Sequence, residues 1–81
     1  ANSMTGVLQY EIAHAALVNA EIYDLRGALI STLVREHQAA GQYEFSWPQK
    51  NNQGLLMPSG IYFYRITADD AVRSGKIAVV K

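Results

Sequence analysis

Apolar and polar residues alternate with a period of two along most of the chain, and that alternation marks out the strands. In Val7-Leu8-Gln9-Tyr10-Glu11-Ile12, Leu8, Tyr10 and Ile12 share one face while Gln9 and Glu11 share the other, which predicts a half-buried strand. Ala13 to Ala16 is a short connection. Leu17 to Asp24 alternates again, with Val18, Ala20 and Ile22 inward and Asn19 and Glu21 outward. Asp24-Leu25-Arg26-Gly27 reads as a hairpin turn with a bulge, because aspartate bonds its own backbone at the first turn position and glycine accepts positive φ. Leu29 to Val34 is apolar on both faces. Ile30 and Leu33 also fit helical spacing, but the stretch is read as a strand. Arg35 to Ala40 reads as a polar loop closed by Gly41. Tyr43, Phe45 and Trp47 then line one face against Gln42, Glu44 and Ser46, and Pro48 ends the strand because proline cannot donate to a ladder.

The densest stretch follows. Lys50 to Gly54 is a polar turn cluster, and Gly54 to Gly60 feeds into Ile61-Tyr62-Phe63-Tyr64-Arg65-Ile66, the most aromatic run in the chain. Tyr62, Tyr64 and Ile66 share one face, and Ile61, Phe63, Arg65 and Thr67 share the other. Their β-branched and aromatic character predicts a strand buried on both faces. Ala68 to Ala71 is a tight turn, and Val72 to Val80 is the last strand, expected to break at Gly75. Strand-and-turn spacing without a competing helical pattern predicts an all-β fold, an antiparallel Ig-like (fibronectin III-like) β-sandwich of about six or seven strands. The expected core is Ile22, Phe45, Tyr62, Tyr64, Ile66, Ile77 and Val79, which share the inward phase of their segments.

Composition narrows the class. The chain has 81 residues, no cysteine, and seven basic residues against seven acidic ones. Residues 1–4 read as an expression remnant and residues 5–81 as a single domain, held by packing alone without disulfide or thiolate-metal support. Balanced, scattered charge gives no footprint for nucleic acid or anionic lipid. No apolar run approaches a membrane span, so membrane insertion is not expected, and no signal-peptide pattern opens the chain.

Candidate chemistry is sparse. His14 and His37 fall in predicted loops without metal-ligand spacing. Asp69-Asp70 lacks the alternating oxygen ligands of a calcium loop and reads as a solvated turn. Ser59 has no G-x-S-x-G frame around it. None of the glycines clusters ahead of a helix as a phosphate loop would require. The expectation is therefore no cofactor, no metal and no catalysis. Tyr43, Trp47, Tyr62 and Tyr64 invite a carbohydrate-stacking reading, but their alternation places them in the core. Tyr23 is the exception, because Ile22 takes the inward phase.

The motifs resemble a family of bacterial Ig-like modules. Glu21-Ile22-Tyr23-Asp24-Leu25-Arg26-Gly27 resembles its strand and turn; Ala40 through Trp47 resembles its next strand. Asn51-Asn52-Gln53-Gly54, Ser59-Gly60-Ile61-Tyr62-Phe63-Tyr64-Arg65 and Lys76 to Lys81 resemble the segments that follow. On this resemblance Tyr23, Asp24, Gly27, Gly41, Trp47, Gly54, Gly60 and Tyr62 are the structural signature. Two departures stand out: Trp47-Pro48-Gln49 replaces the family's W-D-G, and the leading P-N-P-F stretch does not occur. Two related groups share the pattern: the C-terminal sorting domain of type IX secretion substrates, and the Ig-like domain of the flagellar hook-capping protein. The first implies a non-catalytic module for sorting and surface attachment of a secreted or cell-surface bacterial protein exported through the periplasm. Its partners would be the secretion machinery or neighbouring domains, with a recognition surface at Lys76 and Lys81. The second implies a structural assembly or spacer module. Carbohydrate binding is the third and weakest expectation.

Overall fold

The alternating stretches become strands. The computed structural model describes residues 7–80. Its six strands are β1 (Val7–Ile12), β2 (Ala16–Tyr23), β3 (Leu29–Gln38), β4 (Gly41–Ser46), β5 (Gly60–Ala68) and β6 (Ala71–Val79). All pairings are antiparallel: β1 and β4 make a two-stranded sheet, and the other four make a sheet ordered β3-β2-β5-β6. The Ig-like sandwich read from the sequence is thus the observed fold, with six strands.

The core lies between the sheets in two adjoining clusters. One holds Tyr10 and Ile12 of β1 against Val18 and Ala20 of β2 and Ile66 of β5. The other holds Ile22, Trp47, Tyr62, Ile77 and Val79. Leu33 and Tyr64 pack against both clusters and join them. Of the seven expected core residues, five are buried, while Phe45 and Tyr64 are partly buried.

The helix-like spacing in β3 has a geometric cause. Ala20 pairs with Val34 but Glu21 with Thr32, and Ile22 pairs with Ser31 but Tyr23 with Leu29. Leu33 and Ile30 are therefore the extra residues of two bulges, and each bulge resets the period-2 phase. A strand with two bulges thus turns residues three apart toward the same core.

Four expectations about local structure are corrected. Arg35 to Gln38 is not loop but the end of β3, paired with Ala16 to Asn19. Its polar side chains lie over a satisfied backbone ladder, which polarity alone does not reveal. His37 consequently sits on a strand, opposite Leu17. β6 is not broken at Gly75, which pairs in unbroken register with Tyr64. β5 is not buried on both faces, since its outward Ile61 and Arg65 are exposed. The second sheet covers only one side of β5, and apolar identity does not by itself supply a cover.

Candidate functional site

Most residues of the sequence signature gather at one end of the sandwich, in two matching turns and a buried aromatic pair, while Gly41 lies at the other end opposite Ile12. In the first turn, the Asp24 carboxylate oxygen Oδ1 accepts hydrogen bonds from the amides of Arg26 (2.8 Å) and Ala28 (3.0 Å). The Asp24 carbonyl accepts from the Gly27 amide, and the Asp24 amide donates to the Ala28 carbonyl, both at 3.0 Å. In the second turn, Asn51 Oδ1 accepts from the amides of Gln53 (2.9 Å) and Leu55 (3.0 Å). The Asn51 carbonyl accepts from the Gly54 amide at 3.0 Å, and the Asn51 amide donates to the Leu55 carbonyl at 2.9 Å. Gly27 and Gly54 both have φ +85°. That value belongs to the left-handed region, which only glycine enters without cost. An acceptor residue followed three positions later by glycine thus builds one turn twice.

The second turn also treats the sheet edge. The Asn52 amide donates to the Ile30 carbonyl at 3.0 Å, and Asn52 Oδ1 accepts from the Thr32 amide at 3.0 Å. These bonds occupy part of the outer edge of β3, which would otherwise offer unpaired backbone groups.

Trp47 is fully buried, and its indole nitrogen donates to the Lys50 carbonyl at 2.9 Å. Its ring meets Tyr62 edge-on at 5.2 Å between centroids. The Tyr62 hydroxyl donates to the Pro58 carbonyl at 2.8 Å. Both polar tips therefore hold the ends of the loop that connects β4 to β5, and burial raises the Tyr62 hydroxyl above its ordinary pKa. Gln49, at the position of the family glycine in W-D-G, takes φ +65°.

The aromatic residues of the stacking reading point inward. Tyr43 stacks on Tyr10 at 5.5 Å, and Tyr43, Tyr64, Trp47 and Tyr62 all pack in the two core clusters. Tyr23 faces outward, as expected, on the face it shares with Phe63. Its hydroxyl donates to Glu21, and that bond raises its pKa ahead of the smaller effect of burial. The outer faces of the two sheets differ. The smaller sheet presents Gln9, Glu11, Gln42 and Glu44, all exposed. The larger presents Tyr23, Ile61, Phe63 and Val72 among Glu21, Arg65 and Lys76. Lys76 is exposed opposite Phe63, whereas Lys81 lies outside the described residues. Gly41 begins β4 and Gly60 begins β5, each with an aromatic ring about one contact distance away.

Among the described residues no group of three or more His, Cys, Asp or Glu is placed to hold a metal ion. No described helix is long and apolar enough to cross a membrane. The equivalence of the two turns and the edge bonds of Asn52 escaped the sequence reading. The signal was present in the paired spacings Asp24 to Gly27 and Asn51 to Gly54.

Sandwich, signature turns and buried tryptophan define an Ig-like module. The family model for the FlgD Ig-like domain matches residues 2–71, and the chain belongs to that family. Among solved structures, FlgD from P. aeruginosa is similar over 96% of this chain and 62% of its own, with a TM-score of 0.71 and 21% identity. FlgD from Xanthomonas campestris, described for insights into the hook capping essential for flagellar assembly, is similar over 93% of this chain and 56% of its own, with a TM-score of 0.66 and 31% identity. The chain thus spans about three fifths of each of these proteins. No curated protein matches. The comparisons favour the hook-capping side of the resemblance over the type IX sorting domain.

Proposed function

We propose that this chain is a structural assembly module of the hook-capping type: a non-enzymatic Ig-like domain that gives a larger bacterial protein a rigid body at the growing flagellar hook. The observation that carries this reading is the family match over residues 2–71, supported by the fold likeness to two FlgD proteins. The physical properties agree with it. The turns are fixed by hydrogen bonds within the chain, the smaller sheet is polar at Gln9, Glu11, Gln42 and Glu44, and the larger presents Tyr23, Ile61, Phe63 and Val72 on its outer face. On this reading the partners are neighbouring domains of the parent protein and other subunits of the assembly. The location is outside the cytoplasm, at the hook tip.

The test is deletion of the module from its parent gene, followed by electron microscopy of hooks and a motility assay. The assembly reading expects absent or malformed hooks with the remaining polypeptide still synthesised. Normal hooks, with the truncated parent retained in the periplasm, would instead favour secretion sorting. That outcome would return Lys76 to a recognition role, to be checked by Lys76→Ala in an export assay.

A further inference from the structure

Residues 49–57, between β4 and β5, fold back on themselves as an arm. The Met57 amide donates to the Gln49 carbonyl at 2.8 Å, Lys50 bridges Leu56, and the Asn51 amide donates to the Leu55 carbonyl at 2.9 Å. The tip of the arm is the Asn51 turn, where Asn52 bonds the Ile30 carbonyl and the Thr32 amide on the outer edge of β3. From the core side, Trp47 and Tyr62 hold the feet of the arm at the carbonyls of Lys50 and Pro58. The arm's own apolar contribution is small. Pro48 and Pro58 are exposed, and so are Leu55 (62%) and Leu56 (63%). Of residues 48–59, Met57 is the one apolar side chain packed against a core cluster, that of Ile22, Trp47, Tyr62, Ile77 and Val79. It is only partly buried, unlike Trp47 beneath it in the same cluster.

We propose that Met57 is an oxidation site, and that its thioether is the latch of the arm: a peroxide converts it to the sulfoxide and loosens the arm from the edge of β3. The sulfur lone pair attacks one peroxide oxygen, the S–O bond forms and the O–O bond breaks. The thioether is oxidised by two electrons, and the peroxide is reduced to water, or to an alcohol if it carries an alkyl group. The product places a polar S=O group where the surroundings are Ile22, Ile77, Val79 and the aromatic pair. An S=O group buried there without a hydrogen-bond donor is unfavourable, so the side chain turns out to water. The arm then keeps its internal pairing but loses its one apolar hold on the sandwich.

The consequence falls on β3. When the tip lifts, the Ile30 carbonyl and the Thr32 amide lose Asn52 and become free backbone groups on a sheet edge. A dithiol-dependent methionine sulfoxide reductase removes the oxygen as water, becomes a disulfide, and restores the latch. The inference goes beyond the assembly reading and does not rest on it.

The experiment treats the purified chain with hydrogen peroxide. It uses a Met4→Leu background, so that Met57 is the one remaining sulfur of the two in the chain. One oxygen should be added at Met57, located by peptide mass mapping. The melting temperature should fall by at least about 4 °C, the smaller end of the shift expected when a domain of this size loses one favourable contact. Under native conditions the amides of Thr32 and Gly54 should exchange faster, while the β5–β6 amides around Tyr62 and Ile77 keep their protection. Reductase with dithiothreitol should reverse all three changes. Met57→Leu, close in volume and without sulfur, should fold like the parent and show no response to peroxide. Three results overturn the proposal. Met57 may resist peroxide in the folded chain and react only in urea; the sulfoxide may form without faster exchange at Thr32; or exchange may rise equally in β5 and β6, which is general destabilisation and not an opened arm.

Discussion

Asp24 and Asn51 hold the same turn. Each side-chain oxygen accepts from the amides two and four residues on, and each main chain closes on itself in the same two places. One is ionised and the other neutral, so geometry rather than charge makes the turn. The first joins β2 to β3; the second lies across the outer edge of β3 through Asn52. Both therefore brace the same strand, which carries two bulges and needs its register held.

Replacing either turn glycine isolates the backbone contribution. A Cβ added at Gly27 or Gly54 meets nothing within 4 Å, so any loss comes from forcing φ +85° on an L-residue. Gly27→Ala and Gly54→Ala should each destabilise by about 1–2 kcal/mol, the cost of the left-handed conformation. Urea unfolding followed by tryptophan fluorescence measures it. An unchanged midpoint for either variant would mean that its turn relaxes to another conformation.

These turns show where the sequence was informative. Aspartate or asparagine ahead of glycine, and apolar residues two apart, are local signals, and they located the turns, the strand phases of β1, β2 and β4, and the buried Ile22 and Trp47. What remained hidden depends on distant partners. Arg35 to Gln38 looks like loop because its side chains are polar, yet β2 supplies the ladder that makes it strand. Ile61 looks buried because it is apolar, yet no layer covers it. Gly75 looks like a break, yet its place is set by a ring from the neighbouring strand.

Gly75 supplies the second prediction. A Cβ there would lie 2.6–2.7 Å from Cε2, Oη and Cζ of Tyr64. The ring packs against both core clusters and has little room to yield. Gly75→Ala should therefore destabilise by about 1–3 kcal/mol, as overpacking does. Tyr64→Leu removes the obstructing ring at its own cost, so the double variant should be less destabilised than the sum of the two single ones. Strict additivity in chemical denaturation would refute the contact, since residues that touch are expected to couple.

The buried aromatic pair supplies the third. Trp47→Phe removes the N–H that satisfies the Lys50 carbonyl and part of the edge contact with Tyr62. The lost volume and hydrogen bond should cost about 2–4 kcal/mol. Tyr62→Phe loses only the bond to the Pro58 carbonyl and should cost about 1 kcal/mol. Thermal melts followed by circular dichroism compare the two, because Trp47→Phe removes the chain's one tryptophan as a fluorescent reporter. Equal melting temperatures would remove Trp47 from its anchoring role.

The last prediction concerns acid. The amide of Ala28 is the main cause that holds the Asp24 carboxyl below its usual pKa. The Arg26 amide and guanidinium add to this, while desolvation opposes it. The turn wraps the carboxylate to 16% exposure, but Arg26 is 88% exposed, so solvent screens their ion pair and the amide bonds matter most. A depressed pKa in the folded state means that folding binds fewer protons than the unfolded chain does. The resulting stabilisation is present above the unfolded pKa of about 3.9 and fades as pH falls through the folded value. The urea midpoint of the parent should therefore drop on acidification from about pH 5 to about pH 2. Asp24→Asn keeps an acceptor of the type that Asn51 already uses and cannot titrate. It should fold, with a shallower decline over the same window, and added salt should change the difference only slightly. Parallel curves for parent and variant would show that the carboxylate holds its turn no better than an amide does, and would leave the acid sensitivity of the domain to other groups.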